Sequence, residues 1–404
     1  MRSFLSIGAA ASCLLSNVVA TRIPARVGAR AADSVVKPKV MIVSMFDPEA
    51  DVWYGIPEFD VLAMNITIPG GSPLFPDVHC TANGDVCQYT IGESEINAAT
   101  SIASLVRSPR FDLTTTYFMI AGIAGVNPEV ASICSVTFAK YAVQVALQYE
   151  FSQFEIPTNF TSGYIPLGAH SPQQYPTSIY GTEVFEFNQD LQHWAAEQAR
   201  TASLNDSSDA VAYRANYGVN AAYAAGAAPP AVYECDVATS DVYYSGTILG
   251  EAFGNFTTLI TNGSGVYCTT AQEDNATGEA LLRAAIDKLL DFSRVIVMRT
   301  ASDFDRPYPG EAATTNLFWA EQGAFGPAIE NIYLAGIKVV NGILDGWDGQ
   351  FARGMNASNY VGDIFGSLKG SIEPDFGPYT YNNNPVKRST KSMRRKTMKP
   401  VRVL

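Results

Sequence analysis

Histidine is scarce in this chain of 404 residues, which holds only three: His79, His170 and His193. They lie far apart and without the spacing of metal ligands, so a histidine-based zinc site is disfavoured. A cysteine–histidine nucleophile is unattractive for the same reason. We therefore expect a protein that needs no metal and no other cofactor.

Two common catalytic motifs and long apolar runs are also lacking. The chain has neither a G-x-S-x-G elbow nor a G-x-x-x-x-G-K-[ST] loop, which argues against the usual hydrolase and P-loop designs. Beyond the amino-terminal region, the best apolar run covers only residues 117–126, whereas a membrane-spanning helix needs about 20 residues. The sequence therefore argues against a membrane carrier that acts alone.

Charged side chains make up only 16% of the sequence and are unevenly distributed. The net formal charge is −12, but residues 1–39 carry +5 and residues 387–404 carry +8, so the body between them carries −25. An acidic body disfavours nucleic acids and anionic membranes as partners, and small neutral ligands suit it better. Residues 381–404 have the composition of a disordered basic tail, solvated rather than bound to a wall or membrane surface.

The amino terminus has the pattern of a secretory signal. Arg2 precedes an apolar stretch over residues 4–19, and Val18-Val19-Ala20 offers small residues for cleavage before Thr21. A membrane anchor is the weaker interpretation, because the stretch is short and interrupted by polar residues. We expect residues 1–20 to be a signal peptide and 21–38 a pro-segment or linker. The protein would then enter the secretory pathway and reside outside the cell, in the wall or in the vacuole.

The cysteines and the N-x-[ST] glycosylation sequons are consistent with the secretory pathway. Cys80 and Cys87 flank the turn sequence Asn83-Gly84-Asp85, so we expect a hairpin disulfide; a zinc site has only His79 nearby. The five cysteines beyond residue 20 leave one unpaired, and Cys134 in its apolar stretch is the candidate. Seven N-x-[ST] sequons are glycosylation candidates wherever they face solvent: Asn65, Asn159, Asn205, Asn255, Asn262, Asn275 and Asn356.

Buried strands alternate with helices along the chain. Apolar or alternating patterns predict strands at residues 40–43, 86–91, 115–123, 133–138, 232–239 and 294–298. Helical periodicity, together with a proline start at residue 48, predicts helices at 48 onward, 95–107, 189–202, 271–292 and 330–342. This order predicts an α/β fold whose mostly parallel sheet lies between helical layers.

Polar residues follow three of these buried strands. Asp47-Pro48-Glu49 comes after the first, Gly122 to Gly125 with Asn127 after the second, and Arg299 to Asp303 after the last. Ligands of α/β proteins bind at the carboxyl ends of strands, so the three segments together predict a site. Each alone is weak evidence, because a glycine-rich loop is usually a tight turn and an acid after a strand is usually a cap.

Six stretches carry a resemblance: VMIVSMFDPEADVW, IGESEINAA, MIAGIAGVNP, TSDVYYSG, AQEDNATGEAL and VIVMRTASD. Through them residues 39–386 resemble the fungal purine nucleoside permeases, a branch similar to the nucleoside phosphorylases and nucleosidases. The resemblance implies a three-layer α/β/α sandwich with a central mixed, mostly parallel sheet. It also implies one domain over residues 39–380, with insertions in 150–235, and a superfamily whose members usually form homo-oligomers.

The resemblance further implies roles for individual residues. The acid after the first strand, Glu49, would activate water. The loop of Gly122, Ile123, Ala124 and Gly125 would line the sugar and the base.

Three other segments complete the implied site. Tyr243, with Tyr244 beside it, takes the place of an aromatic that stacks on the purine, although the family has phenylalanine there. In Gln272-Glu273, which stands where the family has methionine and glutamate, the acid would hold the ribose hydroxyls, with Asp274 as the alternative. Ser302-Asp303 matches a motif whose aspartate faces purine N7.

The implied reaction is cleavage of the N-glycosidic bond of adenosine, guanosine or inosine. Burial would raise the pKa of Asp303 and let it donate a proton to N7, which is worth roughly 10²–10⁴ in rate. Phosphate is disfavoured as the nucleophile, because no arginine occurs between Arg30 and Arg107 and Glu49 would repel a dianion. We therefore predict a purine nucleosidase that releases free base and ribose for purine salvage and uptake.

Two other functions stay open. One is a phosphate-dependent nucleoside phosphorylase. The other is a secreted or wall-associated component that binds purine nucleosides for transport without catalysis.

Overall fold

The structure, a computed structural model, describes residues 35–377. The predicted signal peptide, most of the predicted linker and the basic tail lie outside these residues. Val36, near the end of that linker, is buried and pairs with Phe111. In the described part of the chain, no helix combines the length and the hydropathy that a membrane crossing requires.

The described residues form strands and helices in an α/β order. The strands are β1 (Val40–Ser44), β2 (Met64–Thr67), β3 (Asp77–Cys80), β4 (Val86–Thr90), β5 (Tyr117–Val126), β6 (Val136–Ala139), β7 (Tyr141–Gln144), β8 (Gln148–Glu150), β9 (Tyr164–Pro166), β10 (Val184–Glu186), β11 (Val232–Glu234), β12 (Asp236–Thr239), β13 (Tyr267–Ala271), β14 (Val295–Phe304) and β15 (Gly362–Asp363). The α-helices are α1 (Asp47–Asp51), α2 (Glu95–Val106), α3 (Gln189–Ala199), α4 (Ser208–Ala215), α5 (Thr247–Ile260), α6 (Asp274–Ile286), α7 (Ala313–Phe318) and α8 (Phe325–Asp345).

Strand β1 shows why the central strands are apolar at every position. Its residues Met41 and Val43 pack into the same hydrophobic cluster as residues of α2 and α6. Val40 and Ile42, which point the other way, join residues of α3 and α8. A strand covered by helices on both faces needs apolar side chains on both. The predicted three-layer sandwich is therefore confirmed.

The central sheet is mixed, as predicted. Its main path runs β15-β10-β7-β12-β13-β5-β1-β4-β3-β2, and β14 extends it from the other edge of β5 through β6 to β11. Strands β4, β1, β5 and β14 are parallel neighbours. Antiparallel pairs include β13 with β5 and β14 with β6. Since β6 continues into β7, the pairings around β5, β14, β6, β7, β12 and β13 close into a circuit.

This circuit leaves a gap along one edge of β5. Strand β1 pairs with residues 117–120 of β5, and β13 pairs with residues 125–126. Between them, residues 121–124 have no strand partner on this edge within residues 35–377. Their backbone groups are free to bond side chains, and a break in strand pairing of this kind is where α/β proteins bind ligands.

Helix α5 has no counterpart among the predicted helices, and α6 begins later than predicted. Residues 242–261 show mixed aromatic, threonine and glycine character, yet 247–260 form a helix because its face with Phe253 and Phe256 packs into a hydrophobic cluster with β7 and β10. The helix predicted from residue 271 begins at Asp274, because Ala271 ends the neighbouring strand β13. Local patterns do not reveal either packing constraint.

The cysteine predictions are confirmed. Cys80 and Cys87 form the hairpin disulfide between β3 and β4. Cys235 and Cys268 form a second disulfide, which ties the junction of β11 and β12 to β13. Cys134 is unpaired and buried.

One glycosylation candidate is wrong. The side chain of Asn275 is only 2% exposed in α6, where it accepts from the Thr239 hydroxyl and donates to the Thr182 carbonyl. A glycan must face solvent, so a folded chain cannot carry one there. Asn205 is half-buried, and the exposed candidates are Asn65, Asn159, Asn255, Asn262 and Asn356.

The two disulfides should differ in their contribution to stability. They close loops of 7 and 33 residues, and the chain-entropy account gives about 2 and about 4 kcal/mol respectively. We expect the C235A/C268A variant to lose more free energy of unfolding than C80A/C87A, measured by urea denaturation. A larger loss for the hairpin pair would contradict this.

Candidate active site

A cleft of about 280 Å³ opens at the gap in β5, beside the carboxyl ends of β1 and β14. Its lining joins the three strand-end segments that the sequence predicts, together with the start of α6. The sequence-predicted residues that line it are Glu49, Ile123, Ala124, Gly125, Tyr243, Tyr244, Gln272, Glu273, Ser302 and Asp303.

Glu49 is held inside the protein by two backbone donors. It lies in α1, whose first turn contains Pro48, and its side chain is 1% exposed. One carboxylate oxygen accepts from the Met45 amide at 2.7 Å, and the other from the Ile123 amide at 2.8 Å in the β5 gap. Burial raises the pKa of Glu49 to about 8, although the nearby Arg299 charge acts against this.

Arg299 is the cation of the cleft, and its presence corrects the prediction of an acid-rich site without a nearby arginine. Its guanidinium donates to Asp274 at 2.7 and 3.2 Å, to Glu273 at 3.1 Å and to the Ile123 carbonyl at 3.0 Å. The side chain is buried in β14. Three acids, the two partners and Glu49, therefore surround one positive charge, and the site stays acidic.

Gly122 makes this arrangement possible without lining the cleft. A β-carbon there would lie 2.3 Å from Met45 Cε, 2.5 Å from a Glu49 oxygen and 2.8 Å from an Arg299 nitrogen. Such distances are far inside van der Waals contact. Gly122 thus provides space for the buried acid and arginine, whereas the other residues of the predicted loop, Ile123 to Gly125, lie in β5 and line the cleft.

Asp303 lies at the opposite side of the cleft. The pairing of β14 with β5 shifts between Ala301 and Asp303, so a bulge at this point sets the direction of the side chain. Its carboxylate accepts from the Ser302 hydroxyl at 2.7 Å and from the Tyr243 hydroxyl at 3.2 Å. Burial raises the pKa of Asp303, while these two donors act in the other direction.

The two tyrosines of the site have different surroundings. Tyr243 is 66% exposed, and its ring reaches across the cleft to Asp303. The hydroxyl of Tyr244 bonds that of Tyr267 at 2.8 Å, and Tyr267 in turn donates to Asp305 at 2.5 Å. Tyr243 is therefore the side chain available to a ligand, whereas Tyr244 belongs to a buried network.

The acid at the start of α6 faces the cleft between two fixed donors. Glu273 accepts from the Ser94 amide at 2.9 Å through one oxygen and from Arg299 through the other. Gln272 beside it donates to the Asp241 carbonyl at 3.3 Å. Burial raises the pKa of Glu273, which the arginine opposes. Each oxygen of Glu273 keeps a lone pair for a ligand hydroxyl.

Two predicted ligand contacts lie elsewhere. Asn127 shapes the turn after β5, where it accepts from the Glu129 amide and donates to the Tyr267 carbonyl. Asp274 is buried, and both of its oxygens are occupied by Arg299. Their structural roles explain the residue types, and neither lines the cleft.

Several lining residues escaped the sequence analysis. Thr270 lies in β13 and Phe325 begins α8, and no motif marks either residue. Met45, Phe46 and Glu93 lie in stretches that carry the resemblance, but it implies no role for them. The lining residues without a predicted role are Met45, Phe46, Glu93, Ser240, Val242, Thr270, Ala271, Arg299, Asp305 and Phe325.

The fold and the site together define an α/β protein with an acidic cleft whose walls carry aromatic side chains. The sequence model of the family described as purine nucleoside permease matches residues 37–356. The chain belongs to this family.

Its relatives include a purine nucleoside permease of Candida albicans, 45% identical over 355 residues, which are 86% of this chain and 85% of that protein. A probable purine nucleoside permease of Schizosaccharomyces pombe is 40% identical over 344 residues, or 83% and 97% of the two chains. Among solved structures, a futalosine hydrolase of Helicobacter pylori has 14% identity and a TM-score of 0.45 over 76% of this chain and 98% of its own. A 5'-methylthioadenosine/S-adenosylhomocysteine nucleosidase of Neisseria meningitidis has 13% identity and a TM-score of 0.44 over 76% and 100%.

The raised pKa of Glu49 makes stability depend on pH. The group has its ordinary value of 4.5 in the unfolded chain and about 8 in the folded one, so the folded state holds the proton more tightly. Stability should therefore fall between pH 4.5 and 8 by an amount on the order of 5 kcal/mol from this group. We expect the melting temperature of E49Q relative to the parent protein to rise from pH 5 to pH 8.

An exposed acid provides the control. The difference between D348N and the parent should stay flat over the same range, since Asp348 is exposed. A flat or falling difference for E49Q would show that Glu49 is ionised throughout.

Proposed function

We propose that the protein hydrolyses the N-glycosidic bond of purine nucleosides in this cleft and releases the free base and ribose. The observation that carries the proposal is a pair of carboxyl groups, the buried Glu49 and the half-buried Asp303, which flank the open edge of β5 and both have a raised pKa. Purine nucleosides are the class of ligand that the names of the family and its relatives indicate.

Asp303 would act as the general acid. The bond from C1′ to N9 breaks more easily when N7 is protonated, because the departing purine is then neutral. Burial favours the protonated carboxyl group. The Tyr243 hydroxyl, which donates to the second oxygen of Asp303, would be displaced when the base binds. Positioned proton donation of this kind is worth roughly 10²–10⁴ in rate.

Glu49 would act as the general base. Its pKa of about 8 lies near physiological pH, where a base both exists in the ionised form and accepts a proton readily. The amides of Met45 and Ile123 hold the carboxylate in place. As water attacks C1′, one of its protons passes to Glu49, and the bond to N9 breaks with its electron pair moving to the base.

The sugar would lie between these groups, against Glu273. Its carboxylate is oriented by the Ser94 amide and by Arg299, so it can accept hydrogen bonds from ribose hydroxyls without reorganising. A negative group beside the sugar also favours the positive charge that develops on the ribose ring in the transition state.

The charge of the cleft favours water over phosphate. Arg299 is the one cation among its described lining residues, and its donors already bond Glu273, Asp274 and the Ile123 carbonyl. A phosphate dianion would also meet Glu49. Two like unit charges 4 Å apart repel by about 4 kcal/mol at an effective dielectric constant near 20.

The purine would stack against aromatic side chains. The Tyr243 ring covers Asp303, and Phe325 and Phe46 line the walls nearby. Aromatic contacts of this type contribute about 0.5–1.5 kcal/mol beyond the burial of their area.

A second candidate is a protein that binds nucleosides for transport without cleaving them, which the permease names of the relatives favour. The same cleft would then serve as a binding site, with its acids as ligands. The two functions are compatible, because cleavage in the secretory pathway or outside the cell would supply free purine for uptake.

The variant D303N separates catalysis from binding. Asparagine keeps the shape of the side chain but cannot donate an acidic proton to N7, so we expect turnover to fall by about 10²–10⁴. Binding measured by calorimetry should change by less than tenfold. The exposed variant D348N is the matched control. Undiminished turnover in D303N would show that Asp303 is not the acid.

The nucleophile is tested by product analysis. Purified protein incubated with inosine should release hypoxanthine and ribose at the same rate with and without phosphate, because the cleft offers a dianion no free cation. Release of ribose 1-phosphate, or strict dependence on phosphate, would replace the hydrolase by a phosphorylase.

A further inference from the structure

The cleft continues beyond Asp303 into a second lobe of about 560 Å³. The lobe lies between the end of β14 and the segment that leads into α8. It shares Tyr243, Ser302, Asp303 and Phe325 with the first cleft, so the two form one continuous space. A base placed against Asp303 therefore has one edge directed toward this lobe.

Gln322 lines the lobe with an amide whose orientation is determined. The residue is 7% exposed, and its Oε1 accepts from the Phe304 backbone amide at 2.8 Å. A backbone N–H must face the oxygen of the side-chain amide, which leaves the nitrogen as the other end. Within residues 35–377 no group accepts a hydrogen bond from that Nε2.

Although the Gln322 residue is buried, its Nε2 reaches the open space of the lobe and not the closed interior. Folding gains no protein hydrogen bond from Nε2, whereas Oε1 stabilises the end of β14. The other buried polar side chains of the lobe are already occupied: Asn316 bonds Ser245 and Tyr213, and the Ser302 hydroxyl donates to Asp303 and the Ala124 carbonyl. Gln322 is the buried group that presents a free donor to a ligand.

We propose that Gln322 reads position 6 of the purine and selects 6-oxopurine nucleosides, inosine and guanosine, over adenosine. The inference rests on the proposed placement of purine N7 at Asp303. Guanine presents two acceptors, N7 and O6, on one edge, whereas adenine presents the N7 acceptor beside an amino donor. Phe304, which fixes the Gln322 amide, directly follows Asp303, so the acid and the amide donor meet the same edge.

The exposed acids of the lobe do not reverse this preference. Asp209 and Glu321 also line it and accept hydrogen bonds, but both face solvent. An exchangeable water partner discriminates weakly, whereas a fixed buried donor facing an amino group leaves two donors opposed and unpaired.

The test is the variant Gln322→Glu, which keeps the shape and still accepts from the Phe304 amide but replaces the donor by an acceptor. The ratio of kcat/KM for inosine to that for adenosine is measured, because a general effect of the new charge on Asp303 cancels in the ratio. We expect the parent protein to favour inosine by about tenfold or more. The variant should shift the ratio toward adenosine by roughly 10- to 100-fold.

Further measurements separate recognition from stability and from the proposed reaction. Gln322→Ala removes the donor, so kcat/KM for inosine should approach that for purine riboside, which lacks a group at position 6. D348N should leave all ratios of kcat/KM unchanged. Calorimetry with the same nucleosides reports binding directly. If nucleosides bind or react but the inosine-to-adenosine ratio is the same in Q322E as in the parent, the inference about Gln322 is wrong and the proposed reaction is unaffected. A parent protein that prefers adenosine would have the same meaning. A protein that binds but does not cleave, with the ratio of affinities shifted as expected, would retain the inference and lose the hydrolase. Failure to bind any nucleoside would overturn both.

Discussion

The guanidinium group of Arg299 lies in the interior, bonded to Asp274, Glu273 and the carbonyl of Ile123. A buried charge that loses its partners costs several kcal/mol, so these partners must stay in place for the chain to fold. Strand β14, the start of α6 and the open edge of β5 are thereby joined at one point. The Arg299 charge also limits how far burial raises the pKa of Glu49. The acidic cleft depends on this one cation.

The position of the cleft follows from how the strands pair. Strand β5 exchanges β1 for β13 along one edge, and the residues between the two partners offer their backbone groups to side chains. Ile123 uses both of its groups, with the amide donating to Glu49 and the carbonyl accepting from Arg299. Gly122 leaves the room for both side chains. The stretch of β5 without a strand partner thus binds two side chains of opposite charge, Glu49 and Arg299.

The cleft therefore has two ends with different chemistry. At one end, Glu49 is deeply buried beside a cation, and burial raises its pKa to about 8. At the other, Asp303 is held by hydroxyl groups and borders a lobe whose buried amide donor belongs to Gln322. Two carboxyl groups in unlike environments are the usual means by which one site supplies both an acid and a base. The acidic surroundings, with the single arginine neutralised, suit a neutral ligand and water.

Much of this could be predicted from local patterns. Continuous apolar runs identified the central strands, and turn residues between Cys80 and Cys87 identified the hairpin disulfide. Acids near the predicted strand ends singled out Glu49 and Asp303, although Asp303 lies within β14. These features depend on neighbours in the chain, and so a single sequence displays them. The sequence by itself thus determined the layered fold, the acidic body and about half of the cleft lining.

Only the tertiary structure decided which polar groups are buried and with what partners. Asn275 is buried and so cannot carry a glycan. Asn127 and Asp274 bond other protein groups and do not line the cleft. Arg299 lies near Glu49 although 250 positions of sequence separate them. Gln322 is unremarkable in the sequence and acquires a fixed amide only because Phe304 lies beside it. Burial and long-range partners set the pKa of an acid and the direction of a donor, and neither is encoded in the spacing of nearby residues.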